Sequence, residues 1–244
     1  MPIANLSAHA YGRDIPGPGA HPGPLSNTLE AHQMMKKALV ALAMSGMMAS
    51  AHAGYLVKEE FTDVAGLASK GWILNNASTP GGATEGWYQG DQSQFNAFSG
   101  PRNSYAAANY NNAPEGGILE NWLITPEFSS DLAAKVTFRV RGAFAEGFSD
   151  QIAFGFSDGS SDLSAFLLDS IVTVGTDGWV MYQAKLAKGF GSARFAIQYM
   201  GDADSANYIG VDNLRVMEVP EPSTMLILGA GVMGLAAARR RRQR

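Results

Sequence analysis

The chain of 244 residues has no cysteine, and its four histidines, His9, His21, His32 and His52, all lie near the N-terminus. From Gly54 onward neither residue type occurs, which excludes Ser-His-Asp triads, Cys-His pairs, histidine general bases and ordinary zinc centres there. Without disulfides this stretch has to rest on its core. The 165 residues from Gly54 to Glu218 are enough, since a domain of that size buries roughly two-thirds of the surface its unfolded chain exposes. Positive charge is scarce as well. Between Gly54 and Pro222 ten Lys or Arg face twenty Asp or Glu, a net charge of −10 that the basic chain ends mask in the overall −4. So acidic a stretch disfavours nucleic acid and anionic lipid and leaves neutral glycans and divalent cations as suitable partners.

Near the N-terminus, Lys36-Lys37, the apolar stretch Ala38 to Met48 and Ala51-His52-Ala53 read as the basic region, apolar region and small-residue cleavage site of a secretory signal peptide over 34–53. Cleavage after Ala53 leaves Gly54 first. Residues 1–33, rich in proline, glycine and histidine, are expected to be a disordered upstream extension, with Met34 or Met35 the initiator. His9, His21 and His32 then form no metal-binding tract.

At the other end, Val219-Pro220-Glu221-Pro222-Ser223 leads into an apolar run, Met225 to Ala238, and then Arg239-Arg240-Arg241-Arg242. Clustered arginine places that flank in the cytoplasm and everything N-terminal to the run across the membrane. Fourteen helical residues reach only about 21 Å, short of a hydrocarbon core of about 30 Å. Arginine snorkelling and local thinning suit such a helix over 225–238 to a transient span. Gly229, Gly231 and Gly234 weaken it as a soluble core helix. Pro220-Glu221-Pro222, the short helix and the arginine cluster, within 219–244, resemble the PEP-CTERM sorting signal. The resemblance implies a membrane-embedded exosortase that cleaves near Pro-Glu-Pro in a Gram-negative bacterium making exopolysaccharide. The chain is then anchored transiently at the inner membrane and released to the envelope or extracellular matrix.

Between the two ends, short alternating runs are separated by Gly, Asn, Asp, Ser and Pro clusters, the signature of an all-β sandwich. Val136, Phe138 and Val140 alternate with Thr137, Arg139 and Arg141; Ile152-Phe154-Phe156, Val180-Tyr182-Ala184-Leu186 and Phe195-Ile197-Tyr199 read as further inward-facing sets. Turns are expected at Ser157-Asp158-Gly159, Thr176-Asp177-Gly178 and Lys188-Gly189-Phe190-Gly191, with glycine supplying positive φ. Leu163 to Leu168 fits a strand or a helical turn. Gly71-Trp72, Asn121 to Pro126, Val136 to Gly142, Asp150 to Ser157 and Ile209-Gly210-Val211-Asp212-Asn213-Leu214 together resemble the choice-of-anchor J domain, a relative of the cleaved-adhesin and MAM-like jelly rolls. The implied fold over 54–218 is a jelly-roll sandwich of two antiparallel sheets.

Related cleaved-adhesin and MAM-like domains place a carboxylate in the last strand to bind structural calcium with acids of the first strand. That resemblance points to Asp212 with Glu60, and Glu59 as a third candidate. Calcium needs six to eight oxygens, and a carboxylate in an apolar closing strand needs a partner or a cation. Backbone amides or a basic side chain would serve Asp212 equally well. Gly201 to Asn207 begins like a calcium loop but lacks the central glycine and final glutamate of an EF-hand, and reads as a hairpin loop. Of four tryptophans, Trp72 and Trp122 sit in packing motifs, whereas Trp87-Tyr88 lies in the polar stretch Gly81 to Asn96 and is the candidate ligand platform, with a satellite cluster under the loop as the alternative.

The expected function is therefore non-catalytic: adhesion to exopolysaccharide or another surface glycan in a biofilm matrix, with exosortase as processing partner. A purely structural matrix protein is the alternative, and a glycoside hydrolase using a carboxylate pair is a third reading.

Overall fold

The computed structural model describes residues 54–219 except Glu85, Ser170 and Phe190, together with Gly231 and Gly234. The upstream extension, Ala51 and Ala53, the motif Pro220, Glu221 and Pro222, the rest of the 225–238 helix and Arg239, Arg240, Arg241 and Arg242 lie outside the described residues.

The described strands are β1 (Tyr55–Glu59), β2 (Ile73–Asn76), β3 (Tyr88–Gln89), β4 (Ala106–Asn109), β5 (Ile118–Ile124), β6 (Phe128–Ser129), β7 (Ala133–Gly142), β8 (Gln151–Ser157), β9 (Leu167–Leu168), β10 (Val172–Thr173), β11 (Val180–Leu186), β12 (Ser192–Asp202) and β13 (Tyr208–Val219). They form two antiparallel sheets. One runs β11-β7-β13-β4-β3 and the other β10-β8-β12-β5-β2, with β9 added to β8 and β6 to β12. Along one side β13 pairs with β7; along the other it takes β4 at Tyr208–Val211 and β1 at Leu214–Met217. This is the jelly-roll-like sandwich expected from the alternation.

Period-2 patterning builds the core. Val136, Phe138 and Val140 of β7 are fully buried between the sheets, with Phe154 of β8 meeting Phe138 edge-on at 5.0 Å and Phe195 of β12 at 5.5 Å from the same ring. Ile152, Ile197 and Tyr199 complete the layer, and Phe156 is partly buried against it. One expected inward residue is not: Val180 is 42% exposed, because it opens the edge strand β11, where only Ala184 is buried and Tyr182 and Leu186 are half covered. Gly159 (φ +94°) and Gly191 (φ +120°) supply the expected left-handed turns, whereas Gly178 and Gly189 lie outside that region. Leu163 to Leu168 resolves into both expected shapes, a 3-10 turn at Leu163–Ala165 and then β9.

A bulge in β13 positions the chemistry. Ile209 and Val211 face the core, and so do Leu214 and Val216, a phase shift of one residue. Asn213 absorbs it at φ +57°, a left-handed conformation that asparagine tolerates better than most side chains. Asp212, just before the shift, faces outward opposite Arg139 of β7.

Both outer faces are roofed by the chain itself. On the β13 sheet, Phe95 from the loop after β3 packs with Tyr105, Ala107 and Tyr208, Phe95 stacking on Tyr105 at 5.0 Å. On the β12 sheet, Phe166 covers Trp122, Ile124 and Ala196.

Candidate functional site

The acidic residues at the end of β1 take different roles. Glu59 is buried and turns the chain on itself: Oε1 accepts the amide of Phe61 at 2.9 Å and of Glu60 at 3.2 Å, and Oε2 pairs with Lys70 Nζ at 3.1 Å. Phe61 sits at φ +50°, so Glu59 fastens a strained corner. Glu60 faces the other way. Its Oε1 accepts from Arg215 Nη2 at 2.8 Å and its Oε2 accepts the Ser99 hydroxyl at 2.8 Å.

Asp212 is fully buried beneath the loop after β3. Its Oδ2 accepts the amides of Phe98 at 2.8 Å and Ser99 at 3.1 Å, while Oδ1 is buried with no hydrogen-bond partner. Burial pushes the Asp212 carboxyl up to about 6; the amides of Ser99, Asn213 and Phe98 oppose that rise and the charge of Glu60 adds to it. Ser99 thus joins Asp212 through its amide and Glu60 through its hydroxyl. Arginines clamp the roof: the Arg139 guanidinium lies 3.7 Å from the Phe98 ring centre and that of Arg141 lies 4.7 Å from Phe95.

The structure therefore brings Glu60 and Asp212 together through Ser99 and directs Glu59 to Lys70 and the chain turn. An orphaned, buried carboxylate oxygen beside a second carboxylate is a donor set that suits a hard divalent cation. Among the described residues no three of His, Cys, Asp or Glu gather in one place, so other oxygens would have to come from backbone and water. Arg215 already neutralises part of Glu60, and its own Nη1 is buried without a partner.

Trp87 and Tyr88 require a correction as a ligand platform. Their polar surroundings suggested a loop, but the pair enters β3, and the alternation of a strand sends Trp87 into the main core at 6% exposure and Tyr88 against Tyr208 on the outer face. Trp87 offers no free ring face, and Tyr88 is partly buried with its ring against Tyr208. Gly90, next along, has no room for a side chain: a Cβ there would stand 2.5 Å from the Tyr105 ring. Gly201 to Asn207 is not the expected hairpin loop: β12 and β13 belong to different sheets and do not pair, so the segment crosses from one sheet to the other through a short 3-10 turn capped by Asp202.

Sequence reasoning passed over Asp150, 3% exposed, whose Oδ1 accepts Tyr199 Oη at 2.7 Å and the Asn207 amide at 2.8 Å, with Oδ2 accepting the Tyr208 amide at 3.3 Å. A lone acid at a strand start gave no signal of that network. It also passed over Tyr110, Phe144 and Phe148, 46%, 79% and 48% exposed. The criterion that selected Trp87-Tyr88, aromatics in polar loops, was the right one to find them.

Residues 218–242 match the PEP-CTERM protein-sorting motif. The chain carries a PEP-CTERM sorting motif. A motif of this kind marks an exported chain that is held in the membrane before it is cut. Among solved structures, the sandwich is similar to the K1 cleaved adhesin domain of Lys-gingipain from Porphyromonas gingivalis W83, with 19% identity over 67% of this chain and 98% of that one and a TM-score of 0.52. The K3 cleaved adhesin domain of the same protein gives 18% identity, 68% and 99% coverage and a TM-score of 0.50. At such identities the likeness concerns the fold, and it is the fold the sequence implied. No curated protein matches the chain.

Proposed function

We propose that this chain is a non-catalytic adhesive module, delivered across the inner membrane, processed by an exosortase and attached to a surface glycan in the extracellular matrix. The observation that carries the delivery part of the reading is a junction: β13 ends at Val219 and the sorting motif begins at residue 218, so the sandwich finishes where the sorting signal starts. A cut near Pro220-Glu221-Pro222 would release the sandwich with its sheets intact. Replacing those three residues by alanine is expected to hold the chain in the membrane fraction uncut. Equal release of the variant and the natural chain would remove exosortase processing from the reading.

Calcium belongs to the same proposal as a structural ion. Asp212 and Glu60 would hold it, with Ser99 keeping the two carboxylates in register, and the ion would supply positive charge to the unpartnered Oδ1 of Asp212. Its work would be to lock the loop after β3 onto the β13 sheet. The melting temperature of the isolated sandwich should rise in calcium over chelator by several degrees; superimposed melting curves would count against the ion.

A further inference from the structure

Three exposed aromatics, Tyr110, Phe144 and Phe148, gather at one end of the sandwich. There three loops converge: the turn after β4 at Tyr110–Asn112 and its continuation to Gly117, the β7–β8 connection 143–150, and the β12–β13 connection 203–207. They enclose a cleft of about 560 Å³, open to solvent and lined by Tyr110, Phe148, Pro114, Glu115 and Asp204. Tyr110 and Phe148 are each about half exposed and line the same cleft. The cleft mixes apolar rings with two carboxylates, the composition of a small-ligand site more than of a flat protein interface.

The loops are braced from chain to chain. The Tyr110 amide donates to Asn207 O at 3.0 Å, the Ser149 amide to Ser205 O at 2.8 Å, and the Ala203 amide to Gly117 O at 3.0 Å. Asp204 Oδ1 accepts the Gly116 amide at 2.9 Å, and Asn207 Nδ2 donates to Ala143 O at 2.9 Å. Beneath them Asp150 ties the base of the β7–β8 connection to Asn207 and Tyr208. Two exposed rings are thus held on a preformed frame, so little ordering cost would accompany binding.

We propose that this cleft is the glycan subsite of the module and takes a neutral hexose chain. The rings of Tyr110 and Phe148 receive the C–H faces of successive sugars, and Glu115 and Asp204 accept their hydroxyls. The same carboxylates, on a stretch with net charge −10, repel uronate and sulfated chains, which sets the charge class of the ligand. This placement rests on the adhesive reading above and adds to it where the ligand sits and what charge it bears.

The test is a binding series with the sandwich 54–219, whose core is internal to it, against neutral gluco-, galacto- and manno-oligosaccharides, with polygalacturonate as the anionic control. The natural sequence should bind at least one neutral chain saturably and leave polygalacturonate free. Tyr110→Ala and Phe148→Ala should each weaken that binding about tenfold, and Tyr110→Phe should restore it. Binding that survives the double alanine variant at full strength overturns the cleft while the adhesive reading stands. Preference for polygalacturonate overturns the neutral-ligand assignment, and no binding by the natural sequence overturns both readings. Should the double variant fail to fold, amide shifts on titrating the natural sandwich decide the matter. Shifts confined to 110–117, 143–150 and 203–207 support the site, and shifts elsewhere refute it.

Discussion

Asp150 is an acid that the fold holds more easily with its proton than without it. Burial raises its pKa above the ordinary 3.8 more than the hydrogen bonds from Tyr199, Asn207 and Tyr208 lower it. The folded state therefore binds more protons than the unfolded one between that ordinary value and the raised one, and stability from this residue falls as pH rises through the window. Asp150→Asn sets an amide against the Tyr208 N–H and is expected to cost about 1–3 kcal/mol. The gap between the natural chain and the variant should be widest at low pH and narrow as pH rises, as read by urea unfolding at several pH values. Asp212 differs under the calcium proposal, in which the ion would answer its charge. Asp212→Asn keeps an acceptor for the amides of Phe98 and Ser99, so melting in chelator should change little, while the calcium-dependent rise should disappear. Asp212 was legible as a site because a carboxylate inside an apolar closing strand contradicts its surroundings. Glu60, the partner named for Asp212, is joined to it through Ser99, whereas Glu59, the last residue of β1, turns to Lys70.

In β13 a single residue sets the phase of a whole strand. Asn213→Gly should leave stability within about 0.5 kcal/mol, whereas Asn213→Val should lose about 1–2 kcal/mol, because a β-branched side chain resists the left-handed conformation. Gly210→Ala should be destabilising for a different reason: its Cβ would lie 2.6 Å from the Tyr105 ring and 2.9 Å from Phe95, forcing the roof off the sheet. Both are checked by urea midpoints at a common pH. The strands themselves were legible wherever apolar and polar residues alternate over five or more positions, as in β7 and β12. Short strands were not. β3 has only two residues in a polar stretch, so its alternation, and with it the burial of Trp87, left no pattern long enough to read. The two roofs were equally hidden, because outward-facing residues such as Tyr208 and Trp122 take their partners, Phe95 and Phe166, from loops distant in sequence.

For the molecule as a whole, the sorting signal and the proposed adhesive module are separate parts of the chain. The sorting motif at 218–242 addresses the protein, and the sandwich carries a buried carboxylate under one roof and an aromatic-lined cleft at one end. Nothing in the alternation of the strands distinguishes the cleft end from the other, since the loops that build it meet only once the sheets have packed. Domain class and destination could be read from the sequence for that reason, and ligand geometry could not. The measurement that bears most directly on the central proposal is a binding isotherm of residues 54–219 on exopolysaccharide purified from the source organism, in calcium and in chelator. Saturable binding in calcium, weakened in chelator as the roof loosens, is the expected result. No saturable binding in either condition would contradict the adhesive function and leave a structural matrix protein in its place.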